Sequence, residues 1–145
     1  MPEKKLKLKV VTPREVKLET DADMVVLRCV DGDIGIRSGH ATCVAILGVG
    51  VLRVKNNGQE KRLAVGGGHV YVHDDAVSVI ADEAEWPEDI DVRRAEIERE
   101  EAERRLRDHA EAIEVNSAQL LLRRALVRIE VSSYSIMHDT TSREE

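Results

Sequence analysis

A chain of 145 residues holds one ordinary domain or two small ones. Its composition is globular, 42% hydrophobic and 34% charged, but aromatics are only 2% and Phe is absent, so a core must come from Val, Ile, Leu and Ala. The lack of stacking rings and a net charge of -6 exclude a nucleic-acid platform.

The amino end alternates. Lys5-Leu6-Lys7-Leu8-Lys9-Val10 reads as a strand with one wet face, ended by Thr12-Pro13. Met1 to Lys9 alternates charge with apolar residues, which is not a signal peptide, and no window approaches the ~20 apolar residues of a membrane span. Met24 to Val30 is the second β run, closed by Asp31-Gly32-Asp33. A short Ile34-Gly35-Ile36 leads into the turn Ser38-Gly39-His40-Ala41. Cys43 to Leu47 and Val49 to Lys55 follow, divided by Gly48, and Asn56-Asn57-Gly58 makes a hairpin turn. Arg62 to Val65 returns, Gly66-Gly67-Gly68 breaks or bulges the ladder, His69 to His73 alternates, Asp74-Asp75 turns, and Val77 to Ala81 closes. Many short strands with regular turns predict an antiparallel sandwich or barrel. Cys29 and Cys43, inside apolar runs, read as buried free thiols of a cytosolic protein.

The character changes at Trp86-Pro87-Glu88-Asp89-Ile90-Asp91. Pro87 suits a helix start, Asp89 an N-cap, and Asp91 the first turn of a helix over 89–111. That helix has a thin stripe of Ala95, Ala102 and Leu106, with Ile113 just beyond. A second helix runs to about Val131, capped by Asn116 with Gln119 or by Glu114, and its stripe is Ala118, Leu121, Leu122, Ala125 and Ile129. Two such helices make an αα-hairpin. So few large side chains barely offset their ordering entropy, and the hairpin needs the β domain or a partner. The expected organisation is a β-sandwich over 1–86, a helical hairpin over 87–133 and a polar tail over 134–145.

Catalytic signatures are lacking. His40, His69, His73, His109 and His138 have no zinc spacing with the cysteines, so no metal site is expected. Gly48-Val49-Gly50 lacks a dinucleotide loop's third glycine, Gly66-Gly67-Gly68 precedes no helix, and Asp31-Gly32-Asp33 lacks further calcium ligands. The last reads as a plain turn or a docking element. Charge is more informative. Residues 1–84 carry 12 basic and 12 acidic side chains, whereas residues 85–145 carry 10 and 16, and every basic residue there is Arg. Arg123, Arg124 and Arg128 crowd one region, and an antiparallel hairpin brings Arg94 to face it. They form either a solvated face, with Glu98 and Glu101 as counter-charges, or a site for a phosphate or an acidic partner surface.

These residues resemble the epsilon subunits of F-type ATP synthases, from Leu6 to about Val131. The resemblance rests on Asp31-Gly32-Asp33-Ile34-Gly35-Ile36-Arg37-Ser38-Gly39-His40-Ala41, on Ala64-Val65-Gly66-Gly67-Gly68, and on the entry into the first helix, Asp82 to Leu106. Ser38 stands where the family usually has Pro, which is expected to loosen that turn, and Gly66 where it usually has Ser.

The resemblance implies a mostly β plus α protein, an N-terminal antiparallel β-sandwich followed by a C-terminal antiparallel helical hairpin. It implies a non-catalytic central-stalk subunit that couples proton flow to ATP synthesis and inhibits ATP hydrolysis through the extended hairpin. Its implied partners are the gamma subunit and c-ring, through Asp33 and His40. The catalytic alpha and beta subunits are implied partners of the hairpin, through Arg123, Arg124 and Arg128. Several bacterial members bind ATP through Ile-Asp-x-x-Arg-Ala, here Ile90, Asp91, Arg94 and Ala95, to which position adds Glu85, Arg124 and Arg128. Glu101 stands where ATP-binding members can carry a further Arg, so weak affinity is expected. No cofactor is required, and ATP would act only as a regulatory ligand. No direct membrane insertion is implied; the location is the cytoplasmic face of the bacterial plasma membrane, peripheral, within the complex. The alternative is a free-standing nucleotide-sensing protein of the same two-domain shape.

Overall fold

The computed structural model describes residues 4–108 and 112–142. The chain divides into two compact units, Met1–Glu85 and Trp86–Glu145.

Among the described residues the first unit has eight strands: β1 (Leu6–Val11), β2 (Val16–Ala22), β3 (Met24–Cys29), β4 (Gly32–Arg37), β5 (Cys43–Ile46), β6 (Val49–Asn56), β7 (Gln59–His73) and β8 (Ala76–Glu85). Their order is β2-β1-β8-β7-β6-β3-β4, with β5 also on β7. One pairing departs from the antiparallel expectation: β1 and β8 run parallel. All the strands between them form their connection, so no hairpin dictates direction. A second departure is β2, which the apolar pattern did not announce. Its Val16 and Leu18 alternate with Lys17, Glu19 and Asp21, but only Ala22 is fully buried, as befits an edge strand.

The glycine triplet bends the ladder without breaking it or inserting a residue: β7 keeps one register with β8 on both sides, Gly66 opposite Glu83 and Gly68 opposite Ala81. β7 runs unbroken for 15 residues, pairing with β6 through Gly66 and with β5 from His69 onward. The strand bends between these partners, with Gly67 at φ 73° and Gly68 at φ 110°. A Cβ on Gly68 would lie 2.0 Å from the Ile80 carbonyl oxygen, so only glycine fits the corner. This bend folds one sheet into two layers. Leu6, Leu8, Leu27, Ile36, Leu52, Leu63, Val70, Val72, Val77 and Val79 fill the space between, none more than 1% exposed.

Turn chemistry holds the loops. Asn57 (φ 54°) and Gly58 (φ 78°) form the expected hairpin turn. The Lys5 ammonium reaches Asp23 and the side-chain oxygens of Asn56 (2.8 Å) and Asn57 (3.0 Å), tying that tip to the β2–β3 corner. Ser38 does not loosen its turn. Its hydroxyl donates to Asp75 Oδ2 at 2.8 Å, and the Gly39 N–H donates to Asp75 Oδ1 at 2.7 Å. These two bonds, the Gly39 one foremost, hold the Asp75 carboxyl below its usual range.

In the second unit a 3₁₀ turn at Pro87–Asp89 precedes α1 (Val92–Asp108) and α2 (Ala112–Ser142). Asp89 is not the cap of α1, because Ile90 is extended (φ -81°, ψ 125°) and interrupts the helix. Asp91 takes that role: its Oδ1 accepts the Arg94 N–H at 3.1 Å and its carbonyl the Ala95 N–H at 3.0 Å. α2 starts at Ala112, so Asn116 lies inside it and no capping box forms there. It also passes Val131 and continues to Ser142, where a tail was expected from Tyr134. No Pro or Gly stops it, and the Ser132 and Ser133 hydroxyls turn back onto the Ile129 carbonyl at 2.8 and 3.0 Å. His109 and residues 110–111, which would complete the expected first helix and the link, lie outside the described residues, as do residues 143–145 and the side chains of Ile113 and His138.

The hairpin is packed through small residues. Ala95 and Ala102 on α1, and Ala118, Ala125 and Ser132 on α2, are buried at seven-residue spacing, two helical turns apart. Such a stripe lets backbones approach closely but removes little apolar area from water. Leu106, Leu121, Leu122 and Ile129 are half-buried beside it.

Candidate functional site

The expected ATP-site residues are mostly explained by the start of α1. Ile90 is 7% exposed and Ala95 is fully buried. Asp91 is exposed and serves as the cap. The first turn of α1 carries no acidic residue but holds Arg93 and Arg94. Cations there oppose the helix dipole, which the Asp91 cap suits instead.

The carboxylate beside Arg94 is Glu98. Its Oε1 lies 3.3 Å from Arg94 Nε on the same helix, and its Oε2 lies 3.4 Å from Arg128 Nη1 on α2. One carboxylate thus joins guanidinium groups from two helices. The Arg94 side chain is 73% exposed, whereas those of Glu98 and Arg128 are 25% and 15% exposed. The interhelical half is therefore the better shielded from water and salt. Arg124 sits one turn before Arg128 and is half-buried; Arg123 is exposed. Glu85 ends β8 in the first unit, paired in register with Ala64. Glu101 does not counter the α2 cluster in this structure but binds Arg105 Nη2 at 2.6 Å on its own helix. Arg99 is held by Glu96 and Glu103, whose hydrogen bonds push its pKa up.

The docking candidates lie on the β unit. Asp33, on β4, is exposed and 3.4 Å from Arg28. His40 follows the Ser38-Gly39 turn, its N–H donating to Arg37 O at 3.1 Å and its Nδ1 2.7 Å from Ala41 O. A more extensive feature escaped the sequence reading. Ile46 on β5 opposes His69 on β7, His69 opposes Ile80 on β8, and Ile80 opposes Val11 on β1. Val44 and Tyr71 form a second opposed pair beside this row. The Val30 N–H donates to the Ile46 carbonyl at 3.0 Å. Val30, Val44, Ile46, Tyr71 and Ile80 are all more than 40% exposed. Alternation alone marks these positions as outward; only the register shows that they are neighbours.

Among the described residues no cluster of three or more His, Cys, Asp or Glu could hold a metal ion. His69 and His73 point outward from β7, with His73 near Asp74. Cys29 and Cys43 are free; burial, then the neighbouring Cys43, Asp31 and Asp33, push the Cys29 thiol up. Among the described residues no helix is long and apolar enough to cross a membrane.

The two units and their glycine corner define a known pair of domains. The beta-sandwich domain of the ATP synthase delta/epsilon chain matches residues 5–87, and its long alpha-helix domain matches residues 88–133. The chain belongs to the ATP synthase delta/epsilon family. It is 44% identical over 135 residues to the ATP synthase epsilon chain of Symbiobacterium thermophilum, covering 92% of this chain and 96% of that one. The Halalkalibacterium halodurans epsilon chain is 43% identical over 128 residues, covering 88% of this chain and 96% of that one. The fold also resembles a chain of the Euglena gracilis mitochondrial ATP synthase (TM-score 0.72, 24% identity, 82% of this chain and 76% of that one). A chain of the Tetrahymena thermophila central stalk and c-ring is similar at TM-score 0.64 and 14% identity, covering 91% of this chain and 99% of that one.

Proposed function

We propose that this chain works in the central stalk of an F-type ATP synthase as a non-catalytic rotor subunit, attached by its β unit and regulated through its hairpin. The observation that carries the attachment is the exposed apolar surface of Val30, Val44, Ile46, Tyr71 and Ile80. A monomer gains nothing by leaving five large apolar side chains together in water, whereas a partner surface would bury them. The gamma subunit is the proposed occupant, with Asp33 and His40 at the edge that meets gamma and the c-ring. The complex would sit at the cytoplasmic face of the bacterial membrane, held there by its partners.

The regulatory half of the reading is that the extended hairpin restrains ATP hydrolysis, with Arg123, Arg124 and Arg128 against acidic surface of the alpha and beta subunits. ATP would favour the compact hairpin through Glu85, Ile90, Asp91, Arg94, Ala95, Arg124 and Arg128. A ligand shifts such an equilibrium only by its differential affinity. At millimolar ATP and a millimolar Kd the bias is about 0.4 kcal/mol.

Co-purification with gamma tests the attachment. Wild type is expected to bind, while Ile46→Asp with Ile80→Asp keeps a cooperative unfolding transition and loses gamma. Failure of wild type to bind gamma would remove the rotor reading. Binding unchanged in the double variant would move the interface to another face.

A further inference from the structure

We propose that Glu98 is a resident counterion that fastens the hairpin closed and occupies the space between Arg94 and Arg128 that an anionic ligand would take. The occupancy claim rests on the ATP reading above; the fastening claim stands on geometry alone.

Local helix electrostatics do not account for this arrangement. Arg94 precedes Glu98 by four residues, and an i, i+4 ion pair is weaker when the cation lies on the N-terminal side. Arg94 also stands in the first turn of α1, at the positive end of the dipole. What distinguishes Glu98 is its second oxygen. While Oε1 faces Arg94 at 3.3 Å, Oε2 reaches across to Arg128 at 3.4 Å. The Arg128 and Glu98 side chains are the shielded pair, 15% and 25% exposed, so water and salt screen this contact less than the outer one.

The surrounding packing makes such a fastener consequential. The buried positions of the two helices, among the described residues, are Ala95, Ala102, Ala118, Ala125, Val127, Val131 and Ser132. Most of these side chains are small and bury little area, so an interhelical ion pair adds appreciably to what favours the closed form. Two cations meeting without an anion would repel one another; Glu98 removes that repulsion and leaves a net charge of +1 across the three groups. A polyphosphate could supply the same negative charge only by displacing the carboxylate or lying against it, and either costs affinity. This chain would then close its hairpin without nucleotide and respond to nucleotide weakly.

The experiment uses the full chain, with ATP and inorganic tripolyphosphate as probes, titrated calorimetrically into wild type, Glu98→Gln, and Glu98→Gln combined with Arg94→Ala or Arg128→Ala. Glu98→Gln keeps the shape and removes the charge. It is expected to bind both probes at least about tenfold more tightly than wild type, and the added Arg changes to abolish the gain. A thermal double-mutant cycle between Glu98→Gln and Arg128→Gln, followed by helical circular dichroism, reads the fastener without ligand, and the two losses are expected to be non-additive. If both proteins bind ATP equally, the occupancy claim fails while the ATP reading stands. If neither binds but the cycle is non-additive, the ATP reading and occupancy fail and the fastener stands. An additive cycle overturns the fastener, and with no binding it overturns the whole proposal.

Discussion

The two units solve the same problem with different materials. In the β unit, Leu, Ile and Val side chains from both layers interdigitate, and the most buried of them are among the largest in the chain. In the hairpin the fully buried positions are mostly Ala, with Val131 the largest among the described residues of the two helices. The first unit therefore has a driving force of its own. The second closes through shape and a few charges, so its closed form is easily biased by a ligand or a neighbouring surface. The proposed role would use both: a rigid part to attach and a part to respond.

The largest test of this contrast is Leu63→Ala. Leu63 is fully buried on β7, and its loss is expected to lower the stability of the β unit by about 2–5 kcal/mol. Urea unfolding read by the β signal checks it; a change below about 1 kcal/mol would show a core loose enough to collapse around the vacancy. The converse change is Ala102→Leu. Here a larger side chain is expected to destabilise the hairpin by about 1–3 kcal/mol, because the seam has no room. Hydrogen exchange resolved by unit should place the loss in α1 and α2. Slower exchange there would mean that the seam is underfilled and the contrast overstated.

Legibility in the sequence followed the same division. The strands with strict alternation, β1 and the outer half of β7, were readable because period two and burial coincide. β2 was not, since an edge strand buries too little to leave a pattern. Pro87 announced the junction, but Asp89 and Asp91 are equally good caps on paper, and only the extended Ile90 decides between them. Glu98 was visible as a counter-charge, yet its contact with Arg128 depends on interhelical register. The outward row through Ile46, His69, Ile80 and Val11 was hidden for a related reason: its members come from four strands.

A smaller effect concerns acid. Asp75 is held below its usual range by Gly39 and Ser38, and Asp23 by Lys5 and Asn57. For Glu60 burial works against the charge, but the hydrogen bonds from Arg62 and Arg53 outweigh it. A depressed folded pKa means stability that is present above the unfolded value, near 4 for carboxylates, and lost as pH falls through the folded value. The β unit is therefore expected to weaken below about pH 4. Asp75→Asn should lower stability at pH 7 and flatten the acid limb of the curve. Unfolding measured at pH 7 and pH 3 checks both; an unchanged slope would detach the Ser38 turn from the acid response.

The division of labour is tested most directly by the ATP hydrolysis rate of the enzyme assembled with the full chain against that assembled with residues 1–86. The account predicts that both assemble, because the apolar surface lies wholly on the β unit, and that hydrolysis rises when the hairpin is absent. Equal hydrolysis rates, or failure of the shortened chain to join the complex, would contradict it.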